Sequence, residues 1–461
     1  MPAERLRLPV VEFKADAVVR RIGFVLLVLA GAWAGDEFGA DGPASVWFRA
    51  RLVGIPFPYL ALVAVLALAS PWITRAPRVS VALRLRRLRM WNPVILAWLA
   101  IAVSIFLGIV QGASELFADW RNIVVMSLVA CVVARWLANE TWKGAAFVDV
   151  AVGIGLAALL PLIRWALGGG NNVFGTRTPV FELSRLFLAC YSAIVLTGIW
   201  ACGLRAVGRT RGILIRAAAI SASLLVLLSF RRTFWITLAL GIPAMMWLAR
   251  KRGYLPRRRL LGIAVVGAAL VAVTLASLGA EVVWARIGSI NPGTDRTENE
   301  FSVTNTDHLN DIVDAVSVIR RNPLFGLGIG RFYKTQLIQE WKATSFEVHD
   351  PFVHVWLKFG LLGLVAYAGY YWSAIRAFAA LRLPSVSETL SIAATGVFLG
   401  SELVGNALGT WLEGSFKSSV FLGVLVGSLL AMADQPLRAN SLRRPEPSVS
   451  AFGESAVALN H

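Results

Sequence analysis

The residue best suited to acid–base chemistry is His349, one of only four histidines in 461 residues. An imidazole titrates near neutral pH, and carboxylates close to it can orient or polarise the ring. Glu347 and Asp350 are both within two residues of His349. His349 is therefore predicted to be a general base. The alternative is an interfacial histidine that caps the helix beginning after Pro351, whereas His354, one turn further on, is predicted to be a packing residue.

A second set of candidates consists of arginines near the ends of apolar segments. Arg231 and Arg232 occupy a short tip between two very apolar runs. They either snorkel to lipid headgroups or bind one specific phosphate, because a planar guanidinium matches two phosphate oxygens. Three more arginines lie at comparable depths: Arg164, Arg177 and Arg185. Arg185 could instead pair with Glu182, but as a set the arginines predict an anion site suited to a diphosphate held without Mg²⁺.

Two other patterns suggest cofactors, but neither fits a known site. Acidic residues and a histidine cluster in one predicted helix, at Asp307, His308, Asp311 and Asp314. They match no specific metal motif and are typical of a surface helix. The glycines at 326, 328 and 330 neither follow a strand nor open a suitable helix, so they predict a sharp turn rather than a nucleotide loop. No metal or other cofactor is expected.

The composition indicates which elements must position these residues. Hydrophobic residues make up 57% of the chain and charged residues only 16%, and the mean hydropathy is +0.66. Such values exclude an ordinary soluble enzyme, for which about 25% charge is usual. The net charge of +18 therefore indicates a membrane and no nucleic acid. The cysteines all fall in apolar runs and are predicted to be packing residues.

The apolar runs predict an all-α polytopic membrane protein, since about 20 apolar residues span a bilayer as a helix. Twelve spans are predicted, near 22–39, 53–74, 92–112, 122–138, 145–166, 182–204, 212–229, 233–249, 260–280, 352–375, 389–410 and 419–433. Loops 75–90 and 250–259 are rich in arginine and are predicted to be cytoplasmic. Six spans separate these two loops, so the parity agrees, and both termini fall on the same side.

This topology divides the chain into four parts: helices 1 to 9 in 1–280, an exterior loop in 281–351, helices 10 to 12 in 352–433 and a disordered cytoplasmic tail in 434–461. The exterior loop holds two of the four histidines, His308 and His349, and a third, His354, directly follows it. Within it, 307–321 is predicted to be an amphipathic helix that lies on the membrane surface or packs on the bundle. Thr306 is predicted to cap its start, and Asn322-Pro323 to end it.

The spacing of several residues resembles a known family. His349-Asp350, nine residues and then Gly360-Leu-Leu-Gly363 resembles the H-[NSQ]-x9-G-x-x-G signature of bacterial O-antigen ligases. The segment 322–328, Asn-Pro-Leu-Phe-Gly-Leu-Gly, resembles one shared by O-antigen ligases, O-antigen polymerases and related oligosaccharyltransferases. The segment 229–232 is similar to their Ser-Arg-rich helix tip. Asp350 departs from the pattern, because Asn, Ser or Gln is usual there; an ionised Asp350 would raise the basicity of His349.

The resemblance implies transfer of O-antigen polysaccharide from undecaprenyl diphosphate to the lipid A core, on the periplasmic side of the bacterial inner membrane. It also implies a fold like that of lipid-dependent (GT-C-like) glycosyltransferases, inversion at the anomeric carbon, and no need for metal or ATP. In this scheme His349 takes the acceptor proton. The five arginines, Arg231, Arg232, Arg185, Arg177 and Arg164, hold the diphosphate, and Asp350 also lies in the substrate site.

Three alternatives use related features of the sequence. An O-antigen polymerase would use the same donor with another lipid-linked repeat unit as acceptor, and a protein O-oligosaccharyltransferase would glycosylate a protein. A transporter of lipid-linked sugars also has about twelve spans and arginines inside the membrane. The long exterior loop, and the gathering of charged candidates toward one face, favour transfer over transport.

Overall fold

The structure, a computed structural model, describes residues 18–25, 28, 51–52, 55–56, 91–113, 126, 128–137, 143–173, 176–179, 183–202, 209–251, 255–288, 300–331, 333–334, 344–345, 348, 350–380, 393–401 and 416–432. His349, Glu182 and the tail 434–461 lie outside the described residues. So do most of the predicted spans 22–39 and 53–74.

The described chain is mainly helical. Its helices are α1 Trp91–Val110, α2 Lys143–Ala157, α3 Leu159–Ala166, α4 Leu183–Cys202, α5 Arg209–Leu228, α6 Arg232–Lys251, α7 Arg257–Leu278, α8 Ala280–Gly288, α9 Glu300–Ile319, α10 Pro351–Ala380 and α11 Phe416–Met432. Three antiparallel two-stranded hairpins join them: β1 Arg51–Leu52 with β2 Ile55–Pro56, β3 Asn171–Val173 with β4 Thr176–Thr178, and β5 Tyr333–Lys334 with β6 Thr344–Ser345. Shorter helical stretches occur at 18–25, 128–136 and 393–401.

In the described part, six helices are long and apolar enough to cross a membrane. They begin at Gly144, Arg185, Thr210, Arg232, Arg257 and Pro351. Helical segments of this length satisfy their own backbone hydrogen bonds, as a bilayer requires. The chain is therefore an all-α, multi-pass membrane protein. The β1–β2 hairpin corrects one boundary, because Ile55–Pro56 is a strand and the second predicted span does not begin as a helix at 53.

The core of the bundle is a close packing of α2, α4 and α5. Gly155 of α2 lies so near α5 that an added Cβ would be 2.5 Å from the carbonyl oxygen of Ala218 and 2.8 Å from the Ser192 hydroxyl oxygen of α4. The Ser192 hydroxyl donates to the carbonyl of Ala151 at 2.7 Å, and the Ser221 hydroxyl donates to the carbonyl of Gly155. Small residues of this kind allow membrane helices to approach closely.

One end of this bundle carries an ion-pair network. Asp149, near the start of α2, accepts hydrogen bonds from Arg21 Nε at 2.6 Å and from Arg211 Nη2 at 2.9 Å. Arg211 lies at the start of α5, and Arg21 lies in the stretch 18–25. The three segments therefore begin on the same side of the bundle. This arrangement agrees with the topology in which the basic N-terminal region and the loop before α5 share the cytoplasmic side.

A second layer consists of α1, α9 and α10. Helices α1 and α10 run antiparallel, since Gly369 lies against Pro93 at one end while the Ser104 hydroxyl donates to the carbonyl of Lys358 at 2.7 Å nearer the other. Helix α9 packs on α10 through Ala315 and Ile319, both buried with Leu357. Helix α11 contacts both α4 and α10 and so joins the two layers.

The helix predicted at 307–321 is α9, and it begins seven residues earlier than predicted. Thr306 therefore lies inside the helix and does not cap its start. The helix ends at Ile319, directly before the turn that contains Asn322-Pro323, as predicted. Of the two predicted settings, packing on the bundle is correct. Asp311, expected on a surface, is fully buried.

Candidate functional site

The predicted site residues lie in two regions: an arginine-rich end of the bundle, and the part of the chain around the start of α10 and its contact with the glycine segment 326–330. The first region contains three arginines, each counted along its own segment from the Gly155–Ser192–Ala218 contact. Arg164 follows Gly155, Arg185 precedes Ser192 and Arg231 follows Ala218, by seven to thirteen residues. At a rise of about 1.5 Å per residue, all three lie roughly 10–20 Å from that contact in the same direction. This is the end opposite Asp149, so the structure places the arginine-bearing ends of α3, α4 and α5 on one side.

The tip between α5 and α6 has a constrained backbone. Phe230 is the one non-glycine residue in the described chain with a positive φ, at 63°. This conformation is costly for a bulky side chain and persists only where the surroundings enforce it. Here Phe230 is buried and meets the Trp235 ring edge-on at 5.9 Å. The Trp235 indole in turn donates to the carbonyl of Leu227 at 3.0 Å, which closes the tip.

The constrained tip fixes the two arginines that follow it. The Ser229 hydroxyl donates to the carbonyl of Val226 at 2.6 Å and accepts from the backbone N–H of Arg231 at 3.3 Å. Burial lowers the pKa of Arg231 to about 10, so the guanidinium is still protonated at neutral pH but poorly solvated. An anion bound at this place would restore to the Arg231 guanidinium part of the solvation energy that it loses on burial. Arg232, half-buried, begins α6.

Arg164 and Arg177 pack around one glycine turn. An added Cβ on Gly169 would lie 2.8 Å from Cγ of Arg164, and one on Gly168 would lie 3.8 Å from Nη1 of Arg177. The Arg177 guanidinium also lies 5.6 Å from the centre of the Trp165 ring, whose N–H donates to the Arg177 carbonyl at 2.9 Å. The structure therefore brings these two predicted residues together, and both are exposed.

Arg185 lies in the first turn of α4 and is largely buried, with 9% of its surface exposed. Directly below it, Phe187 and Tyr191 pack against Phe398 and Phe421, with ring centres 4.8–5.6 Å apart. This aromatic layer closes the apolar interior beneath the arginine. The alternative partner, Glu182, lies outside the described residues.

In the second region, the two glycine segments that are distant in sequence pack directly on each other. Gly326 and Gly360 both have positive φ values, 71° and 68°. A Cβ on Gly326 would lie 2.6 Å from the backbone nitrogen of Gly360, and one on Gly360 would lie 2.5 Å from the carbonyl carbon of Leu324. Only glycine leaves room for two backbones at this distance. The turn predicted at 326–330 is confirmed, and it brings its backbone into contact with that of Gly360.

The contact interrupts α10, which has a non-helical residue at Gly360. The interruption frees backbone carbonyls, and the neighbouring turn uses them: Leu327 N–H donates to the carbonyl of Leu357 at 2.5 Å, and Gly328 N–H donates to that of Lys358 at 3.2 Å. Backbone groups inside a membrane must be satisfied within the protein. The nine residues between Asp350 and Gly360 in the sequence pattern are therefore the helical part of α10 before its interruption.

The residues on both sides of His349 are hydrogen-bonded to the first turn of α10. Val348 is fully buried, and its N–H donates to Nδ1 of His354 at 3.2 Å. Asp350 is largely buried, and its Oδ1 accepts from the N–H of Val353 at 2.8 Å, which makes it the cap of α10. Burial raises the pKa of the Asp350 carboxyl above its usual value, although hydrogen bonds from Val353 and Phe352 oppose this shift.

Sequence reasoning missed three buried polar residues of this region. Lys358 is fully buried, and its ammonium donates to the carbonyl of Arg331 at 2.6 Å. The Tyr333 hydroxyl donates to Asp311, also buried. His354 was predicted only to pack, but it also binds the backbone next to His349. A lysine inside an apolar run is a signal for function, whereas a carbonyl partner has no sequence signature.

A comparison with family models matches residues 217–368 to the model described as O-antigen ligase. This match supports membership of the O-antigen ligase superfamily for these residues. The match covers about a third of the chain and includes Arg231, Arg232, Asp350 and both glycine segments, but not Arg164, Arg177 or Arg185. It supports a glycosyltransferase of the O-antigen ligase or polymerase type in general. A search of curated proteins finds no match.

Proposed function

We propose that this chain is an O-antigen ligase that transfers O-antigen polysaccharide from undecaprenyl diphosphate to the lipid A core. The reaction takes place at the periplasmic face of the inner membrane, in a twelve-span fold like that of lipid-dependent glycosyltransferases. The observation that carries the proposal is the junction of Gly326 with Gly360. It brings together the two segments of the ligase-like pattern, and hydrogen bonds of His354 and Asp350 hold the residues on both sides of His349 at the start of the same helix.

In the proposed reaction, His349 accepts the proton of an acceptor hydroxyl on the lipid A core. The hydroxyl oxygen attacks the anomeric carbon from the face opposite the diphosphate, and the bond to the diphosphate oxygen breaks with inversion. Polyprenyl diphosphate leaves with the electron pair, so it needs positive charge nearby. The charge comes first from Arg231 and Arg232, then from Arg185, Arg177 and Arg164. The leaving group is already good, and the protein mainly aligns two lipid-anchored substrates.

Asp350 has a supporting role in this proposal. Its carboxylate caps α10 and lies beside His349 in sequence, so it both fixes the start of the helix and contributes to the substrate site. Asn and Ser side chains can also accept a hydrogen bond at a helix N-cap, so two of the three residues that are usual at this position can make the same cap.

Expression of variants in cells that lack their own ligase tests the proposal. His349→Ala should abolish the ladder of O-antigen-bearing lipopolysaccharide on gels, whereas His461→Ala, at the C-terminus, should leave it intact. A normal ladder with His349→Ala would remove His349 from the chemistry. Longer lipid-linked glycan without modified lipid A core would indicate a polymerase, and glycan on a protein would indicate an O-oligosaccharyltransferase.

An assay of the purified protein in detergent distinguishes transfer from transport. Without a closed bilayer, a transporter has no measurable product, whereas a ligase still joins glycan to lipid A core. A product that depends on His349 supports transfer. A protein that forms no product in detergent and yet moves lipid-linked glycan across vesicle membranes would contradict the proposal.

A further inference from the structure

An apolar groove of about 400 Å³ lies between α4, α5, α6 and α7. Its volume falls within the range of roughly 300–1,000 Å³ that is typical of ligand pockets. One wall is a stripe along α7 that includes Leu260, Ile263 and Gly267, and Trp200 of α4 and Pro243 of α6 lie opposite. Trp200 is close to the end of α4 and Leu260 close to the start of α7. The groove is therefore nearer the cytoplasmic end, away from the arginine-rich end of the bundle.

The groove exists because α7 packs loosely on the bundle. Only 11% of its apolar window is buried, the smallest share among the six candidate spans of the described chain. Gly267 contributes no side chain, and nothing lies within 4 Å of the place where its Cβ would be. Pro243 inside α6 lacks an N–H, so the helix on the opposite wall has one backbone hydrogen bond fewer at this point. A space of this kind within a bilayer is filled by hydrocarbon.

The mouth of the groove is strongly basic. Arg257, Arg258 and Arg259 directly precede Leu260 at the start of α7. The first two are exposed, and the Arg259 guanidinium donates to the carbonyl of Ala201, at the end of α4, at 3.4 Å. Such clusters on the cytoplasmic side attract anionic lipids by about 1 kcal/mol per basic residue. An apolar groove with a cationic mouth has the shape and charge of an anionic phospholipid.

We propose that the groove binds an anionic phospholipid of the cytoplasmic leaflet. One acyl chain lies along the α7 stripe, and Arg259, on the groove side of α7, holds the headgroup phosphate together with Arg257 at the edge of that side. The tail of a polyprenyl diphosphate fits less well, because its phosphates would lie at the mouth of the groove, far from the arginine-rich end. The proposal is independent of the transfer reaction and holds whether or not the chain is a ligase.

Photo-cross-linking tests the proposal on the full chain in phosphatidylcholine nanodiscs. The probe is phosphatidylglycerol with a diazirine near the end of one acyl chain, and the labelled peptides are identified by mass spectrometry. Labelling should concentrate on the deeper part of the groove, on α7 around Leu270 and on the facing part of α5 around Ser223. A phosphatidylcholine probe with the same diazirine should label these peptides several-fold less.

Two glycines of α7 provide a matched pair of variants. Gly267→Leu fills the groove and should lower labelling there roughly fivefold, which corresponds to about 1 kcal/mol. Gly262→Leu adds the same side chain on the exposed side, where nothing lies within 4 Å of a Cβ, and should leave labelling unchanged. The comparison of the two probes on the unmodified protein decides the question even where a variant fails to fold.

Three results would overturn the proposal. The first is equal labelling by the two probes, which would remove the role of the anionic headgroup. The second is uniform labelling of all exposed helices, which would show that the groove is not a site. The third is displacement of the probe by polyprenyl phosphate but not by excess unlabelled phosphatidylglycerol, which would assign the groove to a polyprenyl tail.

Discussion

Replacement of Gly360 by alanine should destabilise the fold and slow transfer together. The φ of 68° and ψ of −171° at this residue lie in a region used almost only by glycine, and a residue with a side chain pays about 1–3 kcal/mol there. The new Cβ would also lie 2.5 Å from the carbonyl carbon of Leu324, and overpacking of this kind costs about 1–3 kcal/mol. The total is about 2–6 kcal/mol. Since Gly360 ends the helical stretch that begins at Pro351, a displacement at the junction should be passed along this stretch to the segment 348–350.

Thermal unfolding in detergent and a transfer assay measure the two effects. At ~2.1 cal/mol/K per residue, a loss of about 3 kcal/mol lowers the midpoint by ~3 °C for a chain of 461 residues. Gly262→Ala is the matched control, because it lies on an exposed helix face with nothing near its Cβ and should gain about 0.5–1 kcal/mol. A Gly360→Ala protein that unfolds and transfers like the wild type would refute the role assigned to the junction.

Three further changes test the charged and polar groups of the site. Arg231→Ala should raise the KM for the lipid-linked donor by about 10–100-fold, because a charge-assisted hydrogen bond contributes about 1.5–3 kcal/mol. Arg250→Ala, at the other end of α6, is the control and should leave this KM unchanged. Equal KM values for the two variants would show that Arg231 contacts only lipid headgroups. Asp350→Asn should keep the cap and remove a buried charge. Burial raises the pKa of Asp350 above 3.8, so its ionisation lowers the stability of the folded protein as the pH rises from the unfolded pKa through the folded one. Unfolding midpoints measured between about pH 4 and 8 should therefore fall less with rising pH in Asp350→Asn than in the wild type. Parallel curves for the two proteins would contradict the raised pKa of Asp350. His354→Phe should lower kcat with little change in donor KM, because the N–H of Val348 loses its acceptor, and His354→Asn should restore part of the rate; failure of Asn to rescue would indicate that His354 acts only by packing.

The membrane helices could be predicted well from the sequence, because runs of about 20 apolar residues have few alternatives in a bilayer. The span predicted at 233–249 is α6 at Arg232–Lys251, and the one at 182–204 is α4 at Leu183–Cys202. The start of α9 was less predictable. Residues 300–306 are mostly polar or β-branched and carry no helical pattern, so local propensity gives little indication of this first part of the helix.

The candidate site could be predicted only as a set of residue types. The glycine spacing indicated a turn, but the approach of Gly326 to Gly360 depends on two segments folding together, and single-sequence patterns contain no distance between them. The same holds for Lys358, whose charge inside an apolar run is visible although its partner is a backbone carbonyl of Arg331. The common end of Arg164, Arg185 and Arg231 followed from counting spans, because each span reverses the direction of the chain.

The central claim is that the chain joins a lipid-linked glycan to lipid A core with His349 as the base, and one assay tests it directly. Purified protein is incubated with undecaprenyl diphosphate-linked O-antigen and lipid A core, and the products are identified by mass spectrometry. We expect glycan attached to the lipid A core, and a rate with His349→Ala that is lower by about 10²–10⁴-fold, the usual contribution of a general base. Wild-type protein that forms no such product, or an alanine variant that forms it at the wild-type rate, would contradict the account.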